Sequence, residues 1–492
     1  MVARREQNYT QSIVDFVMET NFSHLPSNVV AEAKRIILDT IGCGIGGYTL
    51  DRGKIAVDLA RDLGGKPEAT ILVTGDKVSC ANATFANGDL CSALDADETF
   101  LNSGHFAVPV LSAALAVAER VGASGRDLII AFELGFEVNA RLLLSMRAFR
   151  AKGEPPAETL EAAEVFGYGW ICVGAAVASG KLLGLDKERM AHAIGLAGAN
   201  ATSPSTRKMT EANWWPMMKY GHYGFASFIG VVSALLAMKG YTGKRDILDG
   251  DVGLWRFSGG LEPMWDNLIE GLGEKWWILE DSIKPYPSCR YTHQALDLFY
   301  KIMEEQQIRP EEIESVTVRV GPAAFFVPQL GTPNLELDPK DPTTHINSQF
   351  NMAHLISVAA LGYKPGPDWH TPDTLGDPKV RELMKKVKVE LEFEALGEIL
   401  RAVKEDPTGK WKKCPTSVEV VARGETFDAA SDYAKGDPWI EDTRMSDDEV
   451  KDKFRTFSYK TLRSTKIEEI IRNVFELEKL DHVAKLTELL AT

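Results

Sequence analysis

The chain lacks any C-x-x-C pair; its six cysteines, Cys43, Cys80, Cys91, Cys172, Cys289 and Cys414, are scattered through 492 residues. That excludes a dense disulfide framework and predicts thiols kept reduced. Long apolar runs are missing too. The longest notable one, Phe106 to Ala118, falls short of the roughly 20 residues a membrane span requires. There is no basic excess either: the formal net charge is −15, which argues against nucleic-acid and anionic-membrane partners. The opening MVARREQNYTQS has no signal-peptide apolar core, so a cytoplasmic location is expected. No G-x-x-x-x-G-K-[ST], tandem repeat or low-complexity tract occurs. The remaining composition, 45% hydrophobic and 25% charged, is that of a soluble globular protein and excludes long disorder.

Up to about residue 270 the chain reads as helix after helix. Apolar residues recur at helical spacing from Ile13 and from Val29. Val108 to Ala118, Leu128 to Leu143, Val173 to Leu185 and Ala226 to Met238 follow, many rich in Ala and Gly, which lets helices approach closely. After about Trp277 period-two patterns appear in ESVTVRV, KVKVELEF and TSVEVVARG, read as antiparallel strands. The last stretch, with Ile467, Ile470, Ile471, Val474 and Leu486, returns to helix. The expected fold is mainly α: an all-helical domain from residues 1–279 and 431–492, with an inserted α+β lid at 280–430.

Gly42 to Gly47 spells G-x-G-x-x-G. A dinucleotide site needs a strand before those glycines. Here Ala33 to Ile41 has a helical period instead, which points to close helix packing. A different signal lies at Cys91 to His105, where Asp95, Asp97, Glu98, Thr99 and His105 crowd before a buried apolar helix. Desolvation and neighbouring charges there suit acid–base chemistry; the plain alternative is a solvated acidic loop. D-x-D-x-T is also the spelling of aspartyl phosphatases, but no apolar strand precedes it, and a metal site lacks a second ligand group of convincing spacing. A second cluster, Lys219 to Gly224, puts Lys219 and His222 three apart, neighbours if helical, before an Ala-rich helix whose N-terminus suits a carboxylate. Arg207 and Lys208 add charge just upstream. A third, Lys284 to His293, holds two prolines and Arg290 at the junction of the helical and mixed regions.

Together these clusters resemble the MmgE/PrpD family of 2-methylcitrate dehydratase-like enzymes. The family's N-G-x-x-x-H-x-L-D-x-D-D-T stretch, with a later His and A-L-A-x-A-E, is similar to Asn87 to Glu119. Its K-x-x-H-x-G is similar to Lys219 to Gly224, its K-x-[YF]-P-x-C-x-x-x-H to Lys284 to His293, and its A-Q-F-S to Ser348 to Asn351. The resemblance implies a homodimer, no cofactor and no metal, with an active site between two domains. It assigns Asp95, His105, Lys219 and Lys284 as catalytic. Thr99, His222, Arg290, His354 and Tyr168 are assigned to the substrate.

The chain departs from the family pattern at several positions. The family's first His falls on Ser92, the Pro after its second His on Phe106, and a Tyr after A-Q-F-S on His354. A further His is missing from the stretch Glu164 to Trp170, where Tyr168 stands. Trp214, Trp215 and Trp255 suggest a bulkier ligand, or simply core. The reaction expected first is water loss from a hydroxylated di- or tricarboxylate, by proton abstraction α to a carboxylate. Decarboxylation, epimerisation and diketone hydrolysis would use the same groups. A metabolite-binding protein without catalysis is the alternative from another class.

Overall fold

The computed structural model describes residues 8–153, 158–163, 167–201, 215–219, 221–325, 337–338, 340–341, 344–406 and 408–492. Glu164 to Phe166, Arg207, Lys208, Trp214 and Tyr220 lie outside them. The chain is mainly α. Its principal helices are α1 (Ser27–Gly47), α2 (Asp51–Leu63), α3 (Cys80–Ser92), α4 (Ala107–Val121), α5 (Gly125–Ser145), α6 (Cys172–Leu182) and α7 (Tyr223–Met238), followed by α8 (His293–Glu305), α9 (Met352–Ala360), α10 (Asp447–Ser458) and α11 (Ser464–Phe475). No helix among the described residues is long and apolar enough to cross a membrane.

Helix α3 sits at the centre, packed by α1, α2, α4 and α7. Small residues make this possible. A Cβ on Gly47 would lie 2.1 Å from the Leu90 carbonyl oxygen, and one on Gly44 would lie 2.8 Å from Cys91 Sγ. The Gly42–Gly47 run is therefore a packing surface inside α1, as its helical period predicts. One large apolar cluster joins these helices to Val450, Phe454, Ile467, Ile470 and Leu486 of the C-terminal segment. A second is built from Leu296 and Phe299 of α8, Leu355 and Ile356 of α9, and sheet residues including Val318 and Val420.

The sheet comprises β1 (Ile313–Val320), β2 (Val387–Leu391), β3 (Thr416–Ala422) and β4 (Glu425–Ser431), in the order β2-β1-β3-β4. The all-antiparallel expectation fails for β2, which runs parallel to β1 with Val389 opposite Val318. The connection between them carries α9 and further helices, and a crossover of that length returns a strand in the same direction. β3 and β4 form a hairpin across Arg423 and Gly424, both at positive φ, the pair of conformations a tight two-residue turn demands.

Gly47→Ala is expected to lower stability by about 1–3 kcal/mol, because the methyl meets backbone on the buried α1–α3 contact rather than a movable side chain. Thermal melts of the full chain, with far-ultraviolet dichroism to confirm retained helix content, check this.

Candidate functional site

Between α3 and α4 the chain leaves regular structure for residues 93–106, apart from the short strand Thr99–Phe100, which pairs with Asp281–Ser282. The stretch is almost entirely buried. Five of its side chains, Asp95, Asp97, Glu98, Thr99 and His105, build the candidate site. Asp95 adopts φ +52, a left-handed conformation that Asp tolerates better than most residues. Its carboxylate lies between two ammonium groups: Lys219 Nζ is 2.7 Å from Oδ1 and Lys284 Nζ 3.3 Å from Oδ2. Lys219 also donates to the Ser92 carbonyl at 2.6 Å, and Lys284 to the Asp95 carbonyl at 2.7 Å. All three side chains are buried. Lys219 itself has φ +54. Burial by itself would raise Asp95, but Lys219 and Lys284, with help from His105, override it and hold the carboxyl well below the usual range. Lys219 is lowered, since burial outweighs its carboxylate neighbours.

His105 stands at the far end of the loop. Its Nδ1 is 2.6 Å from the Glu98 carbonyl and 3.3 Å from Asp97 Oδ2, so Nδ1 carries the proton and donates. Burial and Lys284 oppose the charged ring, yet Asp97 and Glu98 outweigh them and raise His105 to about 9. The resting ring is therefore an imidazolium. Glu98 Oε1 accepts from the Phe106 and Ala107 amides, closing the N-terminus of α4. Asp97, Glu98 and His105 bring ligand atoms within 4.8 Å of one another, the one such group among the described residues. A cation there would compete with the Nδ1 proton and with the two amides already on Glu98. Thr99 Oγ1 is buried beside this group without a hydrogen-bond partner among the described residues.

The other expected site residues have different surroundings. Lys219 and His222 do not share a helix, so the condition for their being helical neighbours is not met. Lys219 lies in a turn, and His222 is the N-cap of α7, its Nδ1 accepting from the Phe225 amide at 3.3 Å. His222 thereby occupies the helix N-terminus offered to a carboxylate, and its ring packs on Phe85 and Phe225. Burial lowers its proton affinity, against the pull of Asp89.

Arg290 is committed elsewhere. It pairs with Asp437 and donates to the Lys435 carbonyl at 3.0 Å, while Nη1 stands 3.2 Å from His293 Nδ1. These bonds tie the Lys284 segment to the residues before α10, which is why this guanidinium is not at Asp95. His354 donates through Nε2 to the Trp369 carbonyl at 2.7 Å and lies beside His370, inside the second apolar cluster. Burial lowers it to about 4, so it is neutral. Tyr168 donates to the Ser103 carbonyl, and Trp215 and Trp255 are core residues.

Several contributors are not among the expected site residues. Lys453 of α10 pairs with Asp39 at 2.5 Å and donates to the Ala96 carbonyl at 2.7 Å. Gln349 donates to the Ala93 carbonyl at 2.8 Å, and the Tyr291 hydroxyl to the Asn102 carbonyl at 3.1 Å. Arg52 of α2 donates to Asp89 at 2.6 Å and to Ser92 Oγ at 2.7 Å. Of these, Gln349 lies inside the A-Q-F-S spelling and Tyr291 inside the Lys284 to His293 motif, while Lys453 and Arg52 lie in neither.

Model matches cover most of the chain. The MmgE/PrpD N-terminal domain matches residues 11–264 and the MmgE/PrpD C-terminal domain residues 286–477. Among curated proteins the chain is 26% identical to cis-aconitate decarboxylase of Homo sapiens, over 98% of this chain and 95% of that protein. The mouse protein of the same name is 25% identical. The Aspergillus terreus cis-aconitate decarboxylase is 24% identical, over 95% of this chain and 92% of the fungal one.

Because His105 is raised from 6.5 to about 9 on folding, its contribution to stability is complete below pH ~6.5 and is lost as pH climbs through 9. Asp95 behaves in the opposite sense: its contribution holds above the ordinary carboxylate range and is lost as pH falls through its depressed value. His105→Asn is therefore expected to flatten the decline in urea midpoint between pH 6.5 and 9 relative to the parent. Parallel declines in the two proteins count against the imidazolium.

Proposed function

The chain belongs to the MmgE/PrpD family, and on that premise we propose that it is a lyase that decarboxylates an unsaturated di- or tricarboxylate. The observation that carries this reading is one buried carboxylate, Asp95, clamped between Lys219 and Lys284, with a protonated imidazole on the same loop. An incoming substrate carboxylate meets two ammonium groups already fixed in place. Cleavage of its C–C bond releases CO2 and leaves an electron pair on carbon, conjugated with a neighbouring carboxylate. Lysines in a low-dielectric pocket stabilise that charge as it develops. His105 then delivers its proton to the carbon. In this scheme Asp95 is the anchor that orients both lysines. Its depressed proton affinity makes it a weak base, so it takes no proton. The names of the relatives support decarboxylation ahead of dehydration.

Dehydration of a hydroxy acid is the second reading. It is favoured by the lowered proton affinity of Lys219, which would supply the base for an α proton while His105 protonates the departing hydroxyl.

The two apolar clusters support a helical body from residues 1–279 and 431–492 with a lid at 280–430. Thr99 fits a role toward substrate, because its buried hydroxyl has no partner among the described residues. An exposed apolar stripe on α2, Ile55 at 56%, Leu59 at 43% and Leu63 at 59%, supports association into a homodimer.

Incubation with cis-aconitate in D2O, followed by NMR, is expected to show loss of one carboxylate and one deuterium on the product carbon. His105→Gln should lower kcat by about 10²–10⁴-fold. If the folded protein turns over neither cis-aconitate nor citrate, the metabolite-binding alternative replaces this reading. Light scattering on the eluting protein should give twice the chain mass, and Ile55→Glu with Leu59→Glu should halve it. A monomeric parent at micromolar concentration removes the dimer.

A further inference from the structure

Arg52 is a cation beside this site that neither the sequence motifs nor the proposed reaction uses. It lies in the first turn of α2, and its side chain is 5% exposed. Two of its nitrogens converge on a single oxygen: Nε at 3.2 Å and Nη2 at 2.6 Å from Asp89 Oδ1. A structural Arg–carboxylate pair ordinarily spreads its fork over both oxygens. Here the second oxygen, Oδ2, is turned to His222, 3.7 Å away. Nη1 is left buried with no hydrogen-bond partner among the described residues. Leaving a buried guanidinium N–H pair unsatisfied is costly unless something binds to it.

Arg52 is directly connected to the site. Nη2 donates to Ser92 Oγ at 2.7 Å, and the carbonyl of the same Ser92 accepts from Lys219 Nζ at 2.6 Å. The guanidinium and the catalytic ammonium thus flank one residue, and Arg52 is close enough to disfavour the charged form of Lys219. Locally, Arg52, Lys219 and Lys284 carry three positive charges against Asp89 and Asp95, before His105 and its two acids are counted.

We propose that Arg52 binds one carboxylate of the substrate through its unpaired Nη1, so that this chain selects anions carrying one carboxylate more than the two lysines can hold. The inference rests on the reading of the site as a polycarboxylate lyase. A planar fork suits a planar carboxylate, which a lysine at the same place would meet only as a point charge.

The test uses unreactive probes with the full chain, so turnover is not needed. Tricarballylate carries three carboxylates. Glutarate is the same skeleton without the central one, and methylsuccinate lacks a terminal one. Calorimetric titration of the parent should show tricarballylate binding at least tenfold more tightly than both diacids. Arg52→Gln combined with Asp89→Asn removes both charges and keeps an amide pair. In that protein tricarballylate should weaken ten- to hundredfold, and its advantage over one of the diacids should vanish. Arg52→Lys, which keeps the charge and protects the fold, should lose three- to tenfold. If tricarballylate binds the parent and the double variant alike, or if all three probes weaken in parallel, Arg52 is only a structural partner of Asp89 and the inference is overturned. If the parent binds none of the three probes, the polycarboxylate reading itself falls, and this inference with it.

Discussion

A buried stretch of chain outside helix and sheet must still find a donor for each carbonyl oxygen. Residues 92–103 meet that demand with side chains drawn from distant parts of the sequence. Lys219 serves Ser92, Gln349 serves Ala93, Lys284 serves Asp95, Lys453 serves Ala96, Tyr291 serves Asn102 and Tyr168 serves Ser103. Three of these six donors are ammonium groups. The same bonds that satisfy the backbone therefore deliver positive charge to the loop, and the site's electrostatics follow from how the loop is held.

Burying ammonium groups carries a desolvation cost that one neighbouring carboxylate offsets only when geometry is good. Asp95 and Asp39 provide it, each paired with lysine inside the protein. The left-handed backbone at Asp95 turns its carbonyl and its carboxylate toward the same Lys284. At the other end of the loop the charge logic is reversed: Asp97 and Glu98 keep a buried imidazole protonated. One short segment thus holds an ionised acid and a charged ring, with proton affinities pushed apart by neighbours of opposite sign.

Much of this was legible in the sequence. The helical periods, the return to helix after Asp447 and the crowding around Asp95 and His105 are local patterns, and local patterns survive folding. Lys219 and Lys284 came through the family resemblance rather than spacing, since nothing in K-Y-G-H-Y-G says which way a lysine in a turn will point. Whether Lys219 and His222 would be neighbours depended on a helix reaching back to them, and the helix begins after His222. Arg290 is paired with Asp437 in a way no spacing reveals, because a cation at a junction looks the same in sequence whether or not a carboxylate from a distant segment meets it. Lys453 and Arg52 were invisible, being ordinary charged residues of amphipathic helices whose partners lie hundreds or tens of positions away. The direction of β2 was likewise undetermined, because period-two alternation describes one face of a strand and not its orientation.

The reach from Ala96 to Lys453 also bears on the order in which the molecule is made. A ribosome completes Asp95, Lys219 and Lys284 well before it reaches α10. Until then the Ala96 carbonyl and the Asp39 carboxylate, both destined for burial, have only water to bond. The buried loop cannot close over a dry interior on the nascent chain, so its final structure waits for one of the last helices to be synthesised.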